Sequence, residues 1–431
     1  MRPPAASREM TTMPLAKNMT SIGRLDIPGG GQIAVHDGYA YIGHMKPPHG
    51  TSIVDVRDPK NPKLVSTIAL PDEASHTHKL RVNGDIMITN VEQNDRHALR
   101  RGLKLKEAEA RLSSELGRVP SEAELAKTLN VPEDLMARVR RHVDHGYKDG
   151  GFKVWDVADK AKPKELAYVR TGGVGVHRFD ADERYAYIST EMDGFQGNIL
   201  VVYDMADPTR PAEVSRWWMP GQNLAAGETP FWPGQRNRLH HAMRFGNELW
   251  AAVWYAGLRV IDCSDMTNLK TIGEYDYHPP FPEPTHTIVP VPTRHNGRQV
   301  AVAVDEEHDH VKGQLHGGLW LLDVEDRGDI KPLGMFHLSE MDSPYARTGA
   351  RFGAHQFQER VEGDRLYCAW FGGGLRVIDI KDPTAPEEVG WYIPEPFPGQ
   401  KAPQSNDVYV ENGLVYVLDR NAGLDIVEPT G

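Results

Sequence analysis

Short runs of alternating apolar and polar residues, separated by turn sequences, fill most of the chain. In the first group, Gln32 to His36 and Tyr39 to Gly43 flank an Asp37-Gly38 pair, which is typical of a two-residue hairpin turn. Thr51 to Val56 and Lys63 to Leu70 show the same alternation and are joined by the turn sequence RDPKNP. The pattern predicts a four-stranded antiparallel unit.

One short pattern recurs along the chain: two apolar residues, then Asp-x-x-Asp-Pro-x-x-Pro. Clear copies are IVDVRDPKNP from Ile53, VYDMADPTRP from Val202 and VIDIKDPTAP from Val377. Weaker copies begin at Val154, Val260, Leu321 and Asp425. A spacing of roughly 50 residues suits the four-stranded blade of a propeller.

These copies resemble the LVIVD repeat, and the resemblance extends over essentially the whole chain outside one insertion. It implies an all-β fold, a seven-bladed β-propeller. The last copy stops after its third strand, whereas Ser21 to Ile27 looks like a fourth strand standing alone. We therefore expect the two termini to complete one blade together, which leaves no open sheet edge at the seam.

Residues 94–148 interrupt the second blade with a helical sequence. Ser121 and Glu124 have the spacing of a capping box, and Pro132 suits the start of a helix. We expect two or three helices here, with the propeller formed by residues 17–93 and 149–431.

Part of this insert, RLSSELGRVPSEAELAKTLNVPEDLMARV, resembles the helical middle region of bacterial sigma factors. Its basic and acidic residues nearly balance, however, and the rest of such a factor is missing. We therefore expect a lid over the channel or a contact within a homo-oligomer, and no DNA binding.

Composition narrows the functional classes. The 431 residues, 39% of them hydrophobic, can form a large core, and a net charge of -11 gives no basic field for nucleic acid or an anionic membrane. No signal-peptide core or long apolar stretch is present, so we expect a cytoplasmic protein with a small-molecule substrate and no membrane partner. Cys263 and Cys368 lie in apolar runs and are expected to be buried thiols.

Aligning the hairpin and Asp-Pro turns places one residue of each blade at the start of the inner strand, where the strands converge. Those residues are Gln32, His78, His177, His241, His286, His355 and Asp407. Protonated imidazoles sharing one desolvated place would repel and neutral ones would leave nitrogens unpaired, whereas a bound cation resolves both costs. The five histidines are therefore predicted metal ligands. The alternative is that each histidine caps a carbonyl of the neighbouring blade.

The ligand type bears on the identity of the metal. Imidazoles without thiolates favour iron or copper ahead of zinc or manganese, and they argue against magnesium and calcium. His76, two residues before His78, and His240, next to His241, could hold a ligand in place or act as alternative ligands. Adjacent strand residues point to opposite faces, which makes His240 the weaker candidate. His308, His310 and His316 are expected in a solvated loop.

Two carboxylates and five aromatic residues complete the predicted site. Glu191 ends a strand on the histidine face and could orient a histidine or act as a general base, and Asp407 holds one position of the ring. Long proline-rich loops on this face carry aromatic side chains that could enclose an aromatic substrate, with packing between blades as the alternative. The candidate substrate-binding residues are Trp218, Trp232, Phe281, Tyr345 and Phe352.

Three functions are consistent with these features. The first is an iron or copper oxidoreductase acting on a small organic substrate at the propeller axis. The second is a zinc or manganese lyase or hydrolase that uses the same site. The third is a non-catalytic scaffold that binds a protein partner on its loops.

Overall fold

Seven four-stranded antiparallel units follow one another along residues 15–234 and 236–431, which a computed structural model describes. The first three blades contain the strands Gly30–His36, Tyr39–His44, His49–Asp55 and Lys63–Ala69; Leu80–Asn83, Ile86–Gln93, Gly151–Asp156 and Lys164–Arg170; and Gly172–Ala181, Tyr185–Glu191, Asn198–Asp204 and Ala212–Trp217. A short strand, Ser75–His76, also pairs with the second strand of blade 2.

The remaining four blades repeat this order. Their strands are His241–Phe245, Glu248–Ala252, Leu258–Asp262 and Lys270–Tyr275; Thr285–His295, Arg298–Asp305, Leu319–Asp323 and Lys331–Phe336; Ala354–Phe357, Arg365–Trp370, Gly374–Asp379 and Glu387–Tyr392; and Ser405–Glu411, Leu414–Asp419, Ala422–Pro429 and Met19–Pro28. Ala16–Lys17 adds a fifth strand to blade 6. The inner strands contact one another in order and the seventh contacts the first, so the ring is closed. The predicted seven-bladed propeller is confirmed.

Blade 7 combines the two ends of the described chain. Met19–Pro28 pairs antiparallel with Ala422–Pro429, with Leu25 opposite Leu424. This confirms the predicted closure, which turns two free sheet edges into one hydrogen-bonded ladder. The expectation about a signal peptide concerns in part residues 1–14, which lie outside the described residues.

The recurring aspartates shape the turn between the third and fourth strands. In blade 1, Asp55 accepts the backbone N–H of Arg57 at 3.1 Å and Asp58 accepts that of Lys60 at 3.2 Å. Such Asx turns satisfy backbone donors that the end of the strand leaves open. The first hairpin has Asp37 and Gly38 at φ of 50° and 76°, as a type I′ turn requires. The repeat motif therefore serves the architecture.

The insert forms four α-helices: α1 (Arg96–Gly102), α2 (Leu105–Leu116), α3 (Glu122–Leu129) and α4 (Met136–His145). The predicted capping box of Ser121 and Glu124 begins α3. Short 3₁₀ helices occur at Glu133–Leu135, Leu224–Ala226, Glu340–Asp342 and Phe371–Gly373.

The helices of the insert bury an apolar cluster of their own, which includes Leu99, Leu125 and Val139. This cluster is separate from the apolar clusters between the blades, so the insert has its own small core. Both cysteines are buried free thiols, as expected. No helix among the described residues is long and apolar enough to cross a bilayer.

Candidate metal centre

A β-bulge at the start of the inner strand places one residue of most blades on the channel axis. In blades 1, 3, 5, 6 and 7 the pairing with the second strand shifts by one residue, and the extra residues are Gly31, His177, His286, His355 and Asn406. A bulge adds a residue and turns its side chain away from the regular alternation. In blade 4, His240 occupies the equivalent position. Its backbone N–H donates to the carbonyl of Ala252 at 2.8 Å, and His241 pairs with the same residue in the sheet.

The histidines at this level form a continuous series of ring contacts around the axis. Ring centroids are 5.4 Å apart between His78 and His177, 5.0 Å between His177 and His240, 4.1 Å between His240 and His286, and 4.4 Å between His286 and His355. His76 joins the series with its ring centroid 4.3 Å from that of His78. The structure therefore brings together four of the five histidines of the sequence alignment, with His240 in the place expected for His241.

The residue after each bulge forms a second level, one step further along the channel. These residues are Gln32, Lys79, Arg178, His241, Thr287, Gln356 and Asp407, and several bond from blade to blade. His241 Nδ1 accepts a hydrogen bond from Arg178 Nε at 3.2 Å, and Asp407 accepts the N–H of Ile33 at 2.9 Å. The sequence alignment mixed the two levels because it did not include the bulge.

The far end of the channel is a polar cavity of about 930 Å³ beneath the second level, on the side of the hairpin turns. Asp407, Glu359 and Arg81 contribute to its lining. Asp407 therefore lies next to this cavity and away from the histidine series. Burial raises the pKa of the Asp407 carboxyl to about 6.

Three histidines of blades 4 to 6 use the same ring nitrogen, Nδ1, as a hydrogen-bond donor. His240 Nδ1 donates to the carbonyl of His286 at 2.7 Å, and His355 Nδ1 donates to that of Asn406. His286 Nδ1 donates to Thr287 Oγ1 at 3.0 Å, because the Thr287 hydroxyl itself donates to Gln356. Each neutral imidazole therefore keeps its lone pair on Nε2, the tautomer that a metal ligand needs.

Glu306 is the carboxylate at the centre of this group. Its oxygens lie 3.9 Å from His286 Nε2 and 3.8 Å from His355 Nε2, and donor atoms of His240, His286 and Glu306 all lie within 4.8 Å of one another. Ligands about 2.1 Å from a tetrahedral ion are roughly 3.4 Å apart, so the donor atoms of His240, His286 and Glu306 would have to approach one another by up to about 1.4 Å to share one ion. Arg351 also reaches Glu306, at 3.2 Å.

Burial sets the protonation states in this group. His240, His286 and His355 are each at most 3% exposed, and desolvation holds their pKa values well below the usual range. The imidazoles are therefore neutral at pH 7 and available to a cation. Desolvation raises the pKa of Glu306, but the neighbouring His308 outweighs it and the pKa is held well below its usual value. His308, expected in a solvated loop, lies 3.5 Å from this carboxylate.

A second group of histidines surrounds Glu92. The Glu92 carboxylate accepts a hydrogen bond from His76 Nε2 at 2.9 Å, lies 3.2 Å from His177 Nδ1, and pairs with Arg96 of α1. Arg96 contacts His177 Nδ1 at 2.8 Å as well. Arg96 occupies both a carboxylate oxygen and an imidazole nitrogen of this group, whereas Arg351 reaches only the carboxylate of the group around Glu306, so the group around Glu92 is less suited to a metal ion.

A third group, Glu307, His310 and His316, lies outside the axis. Glu307 accepts a hydrogen bond from His316 Nδ1 at 2.6 Å and the backbone N–H groups of Phe352 and Gly353, each at 2.9 Å. These bonds hold the loop before blade 6 in place. We therefore assign this group a structural role.

The other predicted site residues occupy several places. Glu191 pairs with Arg100 of α1 at the edge of the histidine face and accepts the N–H of Val174 at 3.0 Å. Phe352 is fully buried in the core between blades 5 and 6, and Phe281 packs on Trp320.

Trp218 stacks edge-on with Phe195, and Trp232 packs at the core between blades 3 and 4. Tyr345 is partly buried in the loop before blade 6, where its carbonyl accepts the hydroxyl of Thr348. The five aromatic residues remain predicted substrate contacts that the structure does not test.

Two aromatic rings that sequence analysis did not single out contact the histidines. Trp254 stacks on His240 with ring centroids 5.0 Å apart, and Phe371 lies 4.9 Å from His355. They form apolar walls beside the group around Glu306. The decisive carboxylates, Glu92 and Glu306, were also missed.

Comparison with known proteins supports the architecture. A model described as the LVIVD repeat matches residues 30–69, 180–217, 245–277, 360–393 and 403–428. A search of curated proteins returns no match.

Among solved structures, a protein from Lactobacillus plantarum is 14% identical with a TM-score of 0.54, covering 93% of this chain and 91% of that one. The C-terminal WD40 domain of Sif2 is 10% identical with a TM-score of 0.53, covering 95% and 98%. Raptor of Chaetomium thermophilum is 10% identical with a TM-score of 0.56, covering 95% of this chain and 29% of that one. At these identities the similarity concerns the fold alone.

Proposed function

We propose that this chain, a β-propeller of LVIVD repeats, is a metal-dependent enzyme whose ion is held by His240, His286, His355 and Glu306. The observation that carries the proposal is the common tautomer of the three histidines. Each Nδ1–H is used by a neighbouring oxygen, so each Nε2 keeps its lone pair. His286 Nε2 and His355 Nε2 lie 3.9 Å and 3.8 Å from the buried Glu306 carboxylate, and His240 Nε2 lies 3.2 Å from His177 Nε2. Histidines that bind metal ions usually donate their other ring N–H to an oxygen in this way, which fixes the tautomer and the orientation of the ring.

The donor set bears on the metal and the reaction. Three imidazoles and one carboxylate suit iron, with zinc or manganese next, and the carboxylate makes copper less favourable. We therefore propose an iron-dependent oxidoreductase acting on a small organic substrate. The ion would supply redox chemistry and a site for an oxidant or a substrate oxygen.

The chain itself supplies orientation and exclusion of water. Thr287 and the carbonyl of Asn406 fix two of the ligands, and Trp254 and Phe371 form apolar walls beside them. Helix α1 covers the neighbouring group through Arg96. The proposed ligands lie on or directly beside strands of the propeller, which favours a preorganised site.

Metal analysis after anaerobic purification tests the proposal. The wild type should carry close to one equivalent of iron, and His286→Ala should lose most of it. His295→Ala is a matched control, because His295 is a buried histidine at the other end of the same strand. A wild type without a stoichiometric transition metal would refute the enzyme and favour a non-catalytic scaffold. One equivalent of zinc instead of iron would favour a lyase or hydrolase.

A further inference from the structure

Arg238 is a buried guanidinium beside the proposed metal centre. The residue is only 6% exposed and stands two positions before His240. Its guanidinium carbon lies 4.7 Å from the centre of the Trp254 ring, and that ring stacks on His240. Arg238 is therefore one aromatic ring away from a proposed metal ligand.

The charges around Arg238 do not balance. The charged side chains with the strongest electrostatic effect on Arg238 are Arg96, Arg100, Glu92 and Glu191. Arg96 pairs with Glu92 and Arg100 pairs with Glu191, so both carboxylates are engaged by helix α1.

Among the described residues, Arg238 then has neither an ion pair nor a hydrogen bond of its own. The guanidinium is a cation at pH 7, because arginine keeps its proton in proteins. A cation in this position is costly unless an anion or several polar groups meet it.

The cation–π contact with Trp254 offsets only part of that cost, and it leaves the in-plane N–H donors free. A guanidinium edge presents two parallel donors, which matches the two oxygens of a carboxylate. A neutral ligand would not neutralise the positive charge of the Arg238 guanidinium.

We propose that Arg238 binds the carboxylate of an organic substrate and thereby holds that substrate against the metal centre. This inference rests on the proposed function for the identity of the site. It assigns the substrate to the class of small carboxylic acids. Helix α1 also acquires a role, because Arg96 and Arg100 occupy the two glutamates that would otherwise neutralise Arg238.

Acetate and its neutral isostere acetamide probe this site directly. Both are titrated by calorimetry into zinc-loaded and metal-free protein at constant ionic strength. Acetate should bind, acetamide should not, and Arg238→Gln should weaken acetate binding at least about tenfold because a charge-assisted pair is lost. Arg236→Gln is the matched control, since Arg236 is an exposed arginine two residues away and should leave the affinity unchanged.

The outcomes separate this inference from the metal proposal. Binding of acetate that depends on Arg238 in a protein that takes up no stoichiometric metal would refute the metal centre and leave the anion site standing. Stoichiometric metal with acetate affinity unaltered in Arg238→Gln would overturn the anion site alone. Equal binding of acetate and acetamide would also overturn it.

Thermal unfolding without any added carboxylate supplies a second readout. Removing an unpaired buried charge should leave the midpoint of Arg238→Gln unchanged or raise it. A lowered midpoint, or a variant that fails to fold, would show that Arg238 supports the structure through Trp254, and would overturn the proposal.

Discussion

The adjacent histidines His240 and His241 allow the metal centre to be tested by comparing two single alanine variants. Both side chains are 1% exposed, but His240 lies in the ligand group and His241 lies one level further along the channel. His240→Ala removes a proposed ligand. His241→Ala removes a partner of Arg178 and no ligand.

The two variants should be similarly destabilised without metal. His240→Ala loses the hydrogen bonds to the His286 carbonyl at 2.7 Å and to His177 Nε2 at 3.2 Å, and His241→Ala loses the one from Arg178 at 3.2 Å, so each substitution leaves a buried partner unsatisfied. That loss costs about 1–3 kcal/mol in either case.

They should differ strongly once metal is present. At a free metal concentration about 1,000 times Kd, binding stabilises the folded protein by about 4 kcal/mol. If loss of one ligand weakens binding roughly a hundredfold, His240→Ala retains only about 1.4 kcal/mol of this, whereas His241→Ala retains all of it.

Denaturant unfolding with and without metal measures both quantities. The expected result is a metal-induced stabilisation that is close to wild type in His241→Ala and about 2.7 kcal/mol smaller in His240→Ala. Equal metal-induced stabilisation in the two variants would refute the bulge-based assignment of ligands. A loss confined to His241→Ala would restore the alignment made from sequence.

Other consequences of the structure can be tested independently. Replacing residues 94–148 with a short glycine-rich linker should leave one cooperative thermal transition, because the insert has its own apolar cluster; insoluble or unfolded protein would contradict this. Burial raises the pKa of Asp425 to about 6, above its value in the unfolded chain. The folded protein therefore binds this proton more tightly, and its free energy of unfolding should fall by about 3 kcal/mol as pH rises from about 4 to about 6. Asp425→Asn should therefore flatten the stability–pH profile in that window, and an unchanged slope would show that another group is responsible. Cys263 and Cys368 should react with a thiol reagent only after denaturation, since both are buried; rapid reaction of the native protein would be inconsistent with their position.

The fold was predictable because its determinants are local and repeated. The Asp-Pro turns recur with their hydrogen bonds, as at Asp55 and Asp58, and hairpin turns such as Asp37-Gly38 recur with their dihedral angles. The closure of blade 7 was predictable because the last repeat lacked its fourth strand and the N-terminal segment contained one strand that belonged to no repeat. The helices of the insert were predicted in type, but their number was underestimated because α1 is only seven residues long.

The candidate site was only partly predictable, for a geometric reason. A β-bulge shifts the register by one residue without changing the hydrophobic pattern, so alignment of turns could not separate His240 from His241. The carboxylates were missed because each comes from the second strand, whose end lies beside the bulge of a neighbouring strand. A usable pattern was present, since that strand ends at or near a glutamate in three blades, at Glu92, Glu191 and Glu306.

The most direct test of the metal centre is the position of anomalous scattering in crystals of the iron-loaded protein. One peak is expected about 2.0–2.2 Å from His240 Nε2, His286 Nε2, His355 Nε2 and a Glu306 oxygen. A peak beside His241 or between Glu307 and His316, or no peak on the channel axis in a protein that carries iron, would contradict the account.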